Sequence, residues 1–422
     1  MSKRVTLPRE IWVLVAAAVA VSLGYGIVAP VLPQFAKSFG VTTTAATFVV
    51  SAFALMRLVF APASGRLSTT FGERSMYILG MAIVAASSIA SGLAQTYTQL
   101  LIFRGLGGIG SVTFSVAAMS LIFKLAPSGA KGRASAAYGS GFLLGSIFGP
   151  AVGAVLAPLG YRWPFMIYAV LLAVAGAIVF FLVPADGKES ERAVRRRDDD
   201  GVGADQTELR HDLTARDVEG GSNKKVPMTV REALQVRRFK IVLLTAFAQG
   251  WTNMGVRVAV VPLLAASIPG APTWLPGGAL VAFAAGNALA LSRAGYYSDV
   301  YGRKPIVVFG LLVSGIFTAL MGMWDTTVVV MVGSFFGGFG SGCIQPSQQG
   351  AVADIVGDRP GSRVVSFFQM SADFGQILGP VLAGFMIDYS GYLLAYGFSG
   401  AILIAVAVGW IFFVREPHGS VA

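Results

Sequence analysis

Apolar residues run along this chain in twelve unbroken stretches of roughly twenty, parted by polar turns. About 20 helical residues cross a ~30 Å hydrocarbon core. Unbroken runs mark helices, whereas the strands of a membrane barrel would alternate apolar and polar positions. The pattern predicts spans near residues 11–33, 45–66, 76–95, 99–123, 134–158 and 163–184, then 239–264, 276–297, 305–324, 327–350, 364–387 and 392–414. The first run is too long for a signal peptide, and no small-residue cleavage site follows it. Short turns within each set of six make consecutive helices antiparallel neighbours. The predicted fold is an all-α membrane protein: a six-helix bundle in 1–184, a charged linker in 185–236 and a second six-helix bundle in 237–422.

The second set of six repeats the first. Gly65-Arg66-Leu67-Ser68 returns as Gly295-Tyr296-Tyr297-Ser298, and Gly107-Gly108-Ile109-Gly110 as Gly337-Gly338-Phe339-Gly340. Gly145 through Pro150 returns as Gly375 through Gly379-Pro380; each of these copies lies 230 residues on, while Pro33 and Pro262 are 229 apart. Two similar bundles facing each other across a pseudo-two-fold axis can enclose a cavity that opens to either side in turn.

Composition agrees: 55% of the 422 residues are hydrophobic and 13% charged, about half the charge of a soluble domain. The net charge of +11 is a matter of location rather than of nucleic-acid binding. Residues 186–225 hold eleven acids and nine bases, which leaves 23 bases and 10 acids elsewhere. Those bases gather in alternate short loops (Arg66, Arg74; Lys124, Lys131, Arg133; Arg293, Arg303, Lys304; Arg359, Arg363), so both termini and the linker are expected on the cytoplasmic side. The linker has too little apolar surface to order itself, except that Thr229-Val230-Arg231-Glu232 fits a capping box opening a short interfacial helix. A single cysteine, Cys343, excludes an internal disulfide. Both histidines, His211 and His418, lie outside the spans, which argues against histidine-based metal, haem or proton-relay chemistry in the membrane.

Gly65-x-Leu67-Ser68-x-x-Phe71-Gly72-x-Arg74, with Arg66, and Gly295-x-x-Ser298-Asp299-x-x-Gly302-Arg303-Lys304, between helices 2 and 3 and between helices 8 and 9, resemble the loop signature of the major facilitator superfamily. The first copy has Thr69 where the family has an aspartate; the second keeps Asp299. Leu100-x-x-x-Arg104-x-x-Gly107-Gly108 resembles the family's fourth-helix motif, and the resemblance implies a part for Arg104 in proton coupling. Gly145-x-x-x-Gly149-Pro150-x-x-Gly153 resembles the fifth-helix signature of the antiporters. The likeness covers both halves, and it is closest to the twelve-helix drug:proton antiporter branch. It implies loop residues that gate the cytoplasmic side, protons as the coupling ion with no other cofactor and no metal, and a monomer that meets lipid and a small molecule but no nucleic acid; the economy of charge and the richness in alanine and glycine suggest a bacterial plasma membrane.

Charges inside the spans carry the remaining information. Asp373 follows Arg363 by ten residues, ~15 Å along a helix, near the midplane, where a carboxylate is the first candidate to exchange a proton. Arg57 lies ~12 Å inside the second span and has Asn287 as its repeat counterpart. Gln249, Trp251, Asn253 and Arg257 of the seventh span, Tyr25 of the first and Gln345 of the tenth are candidate cavity contacts. The first span has no acid, so the cavity favours neutral or anionic amphipathic substrates. The expected function is proton-coupled efflux of small amphipathic molecules such as drugs. The alternative on the same fold is an exporter or uniporter of a metabolite such as a sugar, an amino acid or a siderophore-like anion. An enzyme is not expected, because no compact acid–histidine cluster or well-placed nucleophile is present.

Overall fold

A computed structural model describes residues 7–127, 130–184, 228–357, 359 and 361–414. The first span comprises α1 (Arg9–Val28) and α2 (Leu32–Lys37), interrupted at residues 29–31. There follow α3 (Thr43–Phe71), α4 (Glu73–Leu93), α5 (Tyr97–Leu125), α6 (Lys131–Leu156) and α7 (Trp163–Leu182). The second half holds a short helix α8 (Val230–Gln235), then a seventh span made of α9 (Arg237–Gln249), a π-helical segment (Gly250–Val256) and α10 (Arg257–Ser267). Helices α11 (Leu275–Val300), α12 (Arg303–Met321), α13 (Thr327–Val356), α14 (Ser362–Ser390) and α15 (Tyr392–Phe413) complete it. Eleven spans are individually long and apolar enough to cross a bilayer among the described residues. The seventh, divided by the π segment, is the twelfth crossing. The expected linker lies largely in residues 185–227, outside the described residues; α8 occupies its described end, with the Thr229 hydroxyl accepting from the Glu232 amide.

Local chemistry repeats with the fold. Thr96 and Thr326, 230 apart, each cap the helix that follows through their side chains. Gly72 (φ 86°) and Gly302 (φ 91°) turn the chain between the second and third helices of each half, in a backbone region that favours glycine. Within each half the first and fifth spans meet at glycines. A Cβ on Gly26 would lie 2.8 Å from the Gly149 Cα and from Pro150; a Cβ on Gly255 would lie 3.1 Å from the Gly379 Cα and from Pro380. This is close backbone packing by small residues, which suits helices that share no hydrophobic driving force in lipid.

The two copies differ in one backbone detail. Gly149 also abuts the Leu23 carbonyl and Gly379 the Trp251 carbonyl. Leu23 and Trp251 are 228 apart, whereas Gly26 and Gly255 are 229 apart. One residue has therefore been added to the second copy between Trp251 and Gly255, inside the π segment, which is how a helix absorbs a single insertion.

An even number of crossings puts both chain ends on one side, the terminal side. Hydrogen bonds that join the halves among the described residues lie toward the far side. The Asp388 carboxylate accepts from the Thr43 amide (2.9 Å), the Thr44 amide (2.7 Å) and the Thr44 hydroxyl (2.7 Å), so an acid of α14 caps the N-terminus of α3. Deeper in, the Ser51 hydroxyl donates to the Ile377 carbonyl at 2.7 Å. A Cβ on Gly277 would lie 2.6 Å from the Cβ of Ala154, which brings α11 onto α6 near their far ends. Toward the terminal side, Gly65, Gly139 and Gly295 have nothing within 4 Å of a Cβ position. The halves are thus closed at the far side and parted at the terminal side.

Two outcomes follow. Asp388→Ala removes three bonds across the closed seam, two of them to a helix N-terminus. A Thr47→Cys reporter, buried beneath that seam, is expected to label several-fold faster with an impermeant maleimide when Asp388 is absent. On the terminal side, Arg359 pairs with Glu232 at 2.8 Å and holds its carboxyl below the ordinary glutamate value. A depressed value means this contact is fully present above the ordinary value and lost only as pH falls through the lowered one. A fluorophore on α8 should report docking at neutral pH and release only in more acidic solution; Arg359→Gln should abolish the transition.

Candidate transport pathway

Arg104 points from α5 into the first half and is 1% exposed. Its guanidinium carbon lies 4.6 Å from the centroid of the Phe53 ring on α3, which in turn meets the Tyr25 ring at 6.1 Å. Its Nε and Nη1 groups have no protein acceptor. An arginine stacked this way is held by the ring face inside the bundle and does not reach toward an interface.

The second half holds a matching cation. Arg257 is 3% exposed and lies 3.8 Å over the ring of Phe283, the residue 230 after Phe53. Its Nη1 group donates to the Ser334 carbonyl at 3.4 Å, and Ser334 is 230 after Arg104. Each half therefore keeps a guanidinium over the equivalent phenylalanine. The fourth helix supplies it in the first half, and the first helix of the repeat supplies it in the second. Gly337 makes room: a Cβ there would meet the Arg257 guanidinium at 2.7 Å.

Asp373 is half-buried on α14, one helical turn from Ile377 and so just beyond the closed seam. Arg57, exposed on α3, is the charged group acting on it. The two belong to opposite halves, at the level where those halves begin to part.

The other expected residues divide into groups. Gly145, Gly149, Pro150 and Gly153 of α6 all face α1, at Ser22–Leu23, Gly26 and Ile27. Of the loop residues, Arg74 donates to the Phe180 carbonyl and covers that ring at 5.1 Å, while its neighbour Glu73 pairs with Lys124. Arg303 bridges Asp299 (3.0 Å) and Asp354 (2.9 Å), and Arg238 joins Asp354 at 3.3 Å. These charges tie neighbouring helix ends together within one half. Gln345 is exposed on α13 and Asn287 is partly buried on α11. Gln249 is buried against Gln348, whose amide nitrogen donates to its carbonyl oxygen at 3.2 Å. Asn253 donates to the Ser341 hydroxyl at 2.7 Å. Trp251 turns away from these toward α15, where its indole donates to Ser399 at 2.9 Å. Sequence reasoning did not single out Phe53, Phe283, Tyr168 or Ser334; the 230-residue offset applied to aromatic positions would have paired the two phenylalanines.

These features define a two-bundle membrane transporter, and comparison with known proteins agrees. The Major Facilitator Superfamily model matches residues 14–277 and 242–422, and the chain belongs to that superfamily. It is 24% identical over 390 residues to the quinolone resistance protein NorA of Staphylococcus aureus (strain MRSA252), covering 90% of each chain. It is 22% identical over 428 residues to multidrug resistance protein 2 of Bacillus subtilis (strain 168), covering 100% of this chain and 99% of that one. In fold it resembles a D-xylose-proton symporter (TM-score 0.72, 16% identity, 97% and 99% coverage). It likewise resembles a POT family transporter solved with 5-aminolevulinic acid (TM-score 0.73, 12% identity, 96% coverage of each). The protein is a multi-pass membrane transporter of this superfamily.

A buried cation lacking full hydrogen bonding is a cost to the fold. Arg104→Gln is therefore expected to leave the melting temperature of purified protein unchanged or raised, while lowering transport at least about tenfold, a barrier change of ~1.4 kcal/mol. A fall in both together would make Arg104 a structural residue.

Proposed function

We propose that this protein exports small amphipathic molecules, drugs among them, across a bacterial plasma membrane in exchange for protons. The observation that carries the reading is the position of Asp373. It is a half-buried carboxylate on one half, with Arg57 of the other half at a similar level, where a closed seam gives way to an opening. Basic residues crowd the terminal-side loops, and the positive-inside rule makes that side cytoplasmic. The conformation is then open inward, and both termini lie in the cytoplasm. The relatives named for drug resistance support efflux as the direction.

In this mechanism substrate enters from the cytoplasm between the parted halves. An ionised Asp373 attracts Arg57 and favours drawing the halves together on that side; a protonated one does not. Proton and substrate thereby stabilise opposite conformations, which is thermodynamic linkage between two sites. The loop residues around Gly65 and Gly295 meet across the cytoplasmic side when it closes. One chain contains both halves of the pathway, and a monomer suffices; protons are the coupling ion and no other cofactor takes part. Net positive charge in the interior, with Arg57, Arg104 and Arg257 against Asp373, also favours a second reading on the same fold, export of an anionic metabolite.

The test is efflux from cells or uptake into everted vesicles under an imposed pH gradient. Wild-type transport should collapse with an uncoupler. Asp373→Asn should lose gradient-driven accumulation by about tenfold or more while retaining exchange of labelled for unlabelled substrate. Uncoupler-insensitive transport, or full accumulation by Asp373→Asn, would remove proton coupling through this residue.

A further inference from the structure

The repeat separates what the scaffold needs from what it does not. Where the first half has Val21, Val28 and Ala118, all buried, the second has Gln249, Arg257 and Gln348. The correspondence uses the 228-residue offset before the π insertion, 229 after it, and 230 for α13. The π segment that carries the insertion contains Asn253. At these three positions the first copy packs apolar side chains, so the fold does not require the two glutamines; the guanidinium has its own counterpart in Arg104, and Ser341 has one in the buried Ser111. Yet Gln249, Asn253 and Arg257 share a face over eight residues, ~12 Å of helix, opposite Ser334, Ser341 and Gln348 of α13.

Burying such groups costs free energy unless each is hydrogen-bonded. Here the pairing is half complete. Gln249 and Gln348 use one end of each amide on each other, and Asn253 uses one end on Ser341. The remaining amide atoms of all three, together with the Arg257 Nε and the Ser334 hydroxyl, have no protein partner. Arg257 is 97% enclosed, and among the described residues no acid is seen to pair with it. Asn253, partly exposed, is the open member of the row. Donors and acceptors spaced along ~12 Å, ending on an unopposed guanidinium, are complementary to one ligand class.

We propose that the seam between the seventh and tenth spans binds the polar part of an organic acid, its carboxylate or sulfonate against Arg257 and its hydrogen-bonding body along Asn253, Gln249 and Gln348. This rests on the reading that substrate enters between the halves, and it assigns the substrate class and places the specificity site off-centre, in the second half. A neutral or cationic molecule would leave the Arg257 charge unmatched, so the site rejects cations by its own electrostatics.

Fluorescein and rhodamine 6G share a xanthene ring system and differ in charge, which makes them matched probes. Their binding to the full-length protein in nanodiscs, followed by fluorescence polarisation at pH 7.5 with no gradient, reads charge preference apart from transport. Fluorescein is expected to bind at least about tenfold tighter, the worth of one charge-assisted contact. Arg257→Gln should erase that preference by weakening fluorescein alone, and Arg257→Lys should keep part of it. If Arg257→Gln does not fold, Asn253→Ala, at the partly exposed position, should weaken fluorescein several-fold. Equal affinities, absence of fluorescein binding by folded wild type, a preference that survives Arg257→Gln, or unchanged binding by Asn253→Ala would each overturn the proposal. Anion binding without uncoupler-sensitive transport would keep this site and remove proton coupling; proton-driven efflux of rhodamine without anion binding would do the reverse.

Discussion

Hydrocarbon offers no hydrogen bonds, and that constraint shapes this molecule at every level. It confines the crossing backbone to helices whose amides are satisfied internally. It removes the hydrophobic drive between helices, so glycine-to-backbone contacts such as Gly26 on Gly149 hold them together. It also makes each polar or charged side chain inside a span costly, and hence informative. Arg57, Arg104, Arg257 and Asp373 are charges within the spans, and two of them have a setting that packing alone would not demand, a guanidinium held over a ring face.

Duplication turns this constraint into a way of telling scaffold from function. Features at constant offset, such as the Thr96 and Thr326 caps, the Gly72 and Gly302 turns and the glycine faces of α6 and α14, are what two copies of the bundle share. Departures mark specialisation. Asp373 has Leu143 as its counterpart and Arg57 has Asn287. The guanidinium over phenylalanine is common to both halves although different helices deliver it, so the place of the charge is shared and its attachment is not. The π insertion re-aims the seventh span at the point where the polar seam lies.

Much of this was legible in the sequence, because span length, hydropathy and the 230-residue offset are local or periodic signals. The twelve spans, the twofold repeat and the depth of Asp373 follow from them. What the sequence hid depends on direction in three dimensions. Asp388 reads as a loop acid, yet it caps α3 across the halves. Trp251 reads as a cavity aromatic, yet it turns to Ser399. Arg104 and Arg57 both read as cations that could act on Asp373, and the direction of each side chain is not a periodic signal: Arg104 turns onto the Phe53 ring. The π segment is invisible to a periodicity built on 3.6 residues, and it emerges only when glycine contacts in the two halves are compared.

The central claim is that the two bundles rock about a shared core so that one end is closed whenever the other is open. Paired spin labels in one preparation test it most directly, one pair across the far side on the α2–α3 and α10–α11 loops, another across the terminal side on the α3–α4 and α11–α12 turns. Alternating access predicts opposite changes between acidic and alkaline conditions, one distance growing as the other shrinks. Both distances widening together, or neither responding to pH or to substrate, would contradict it.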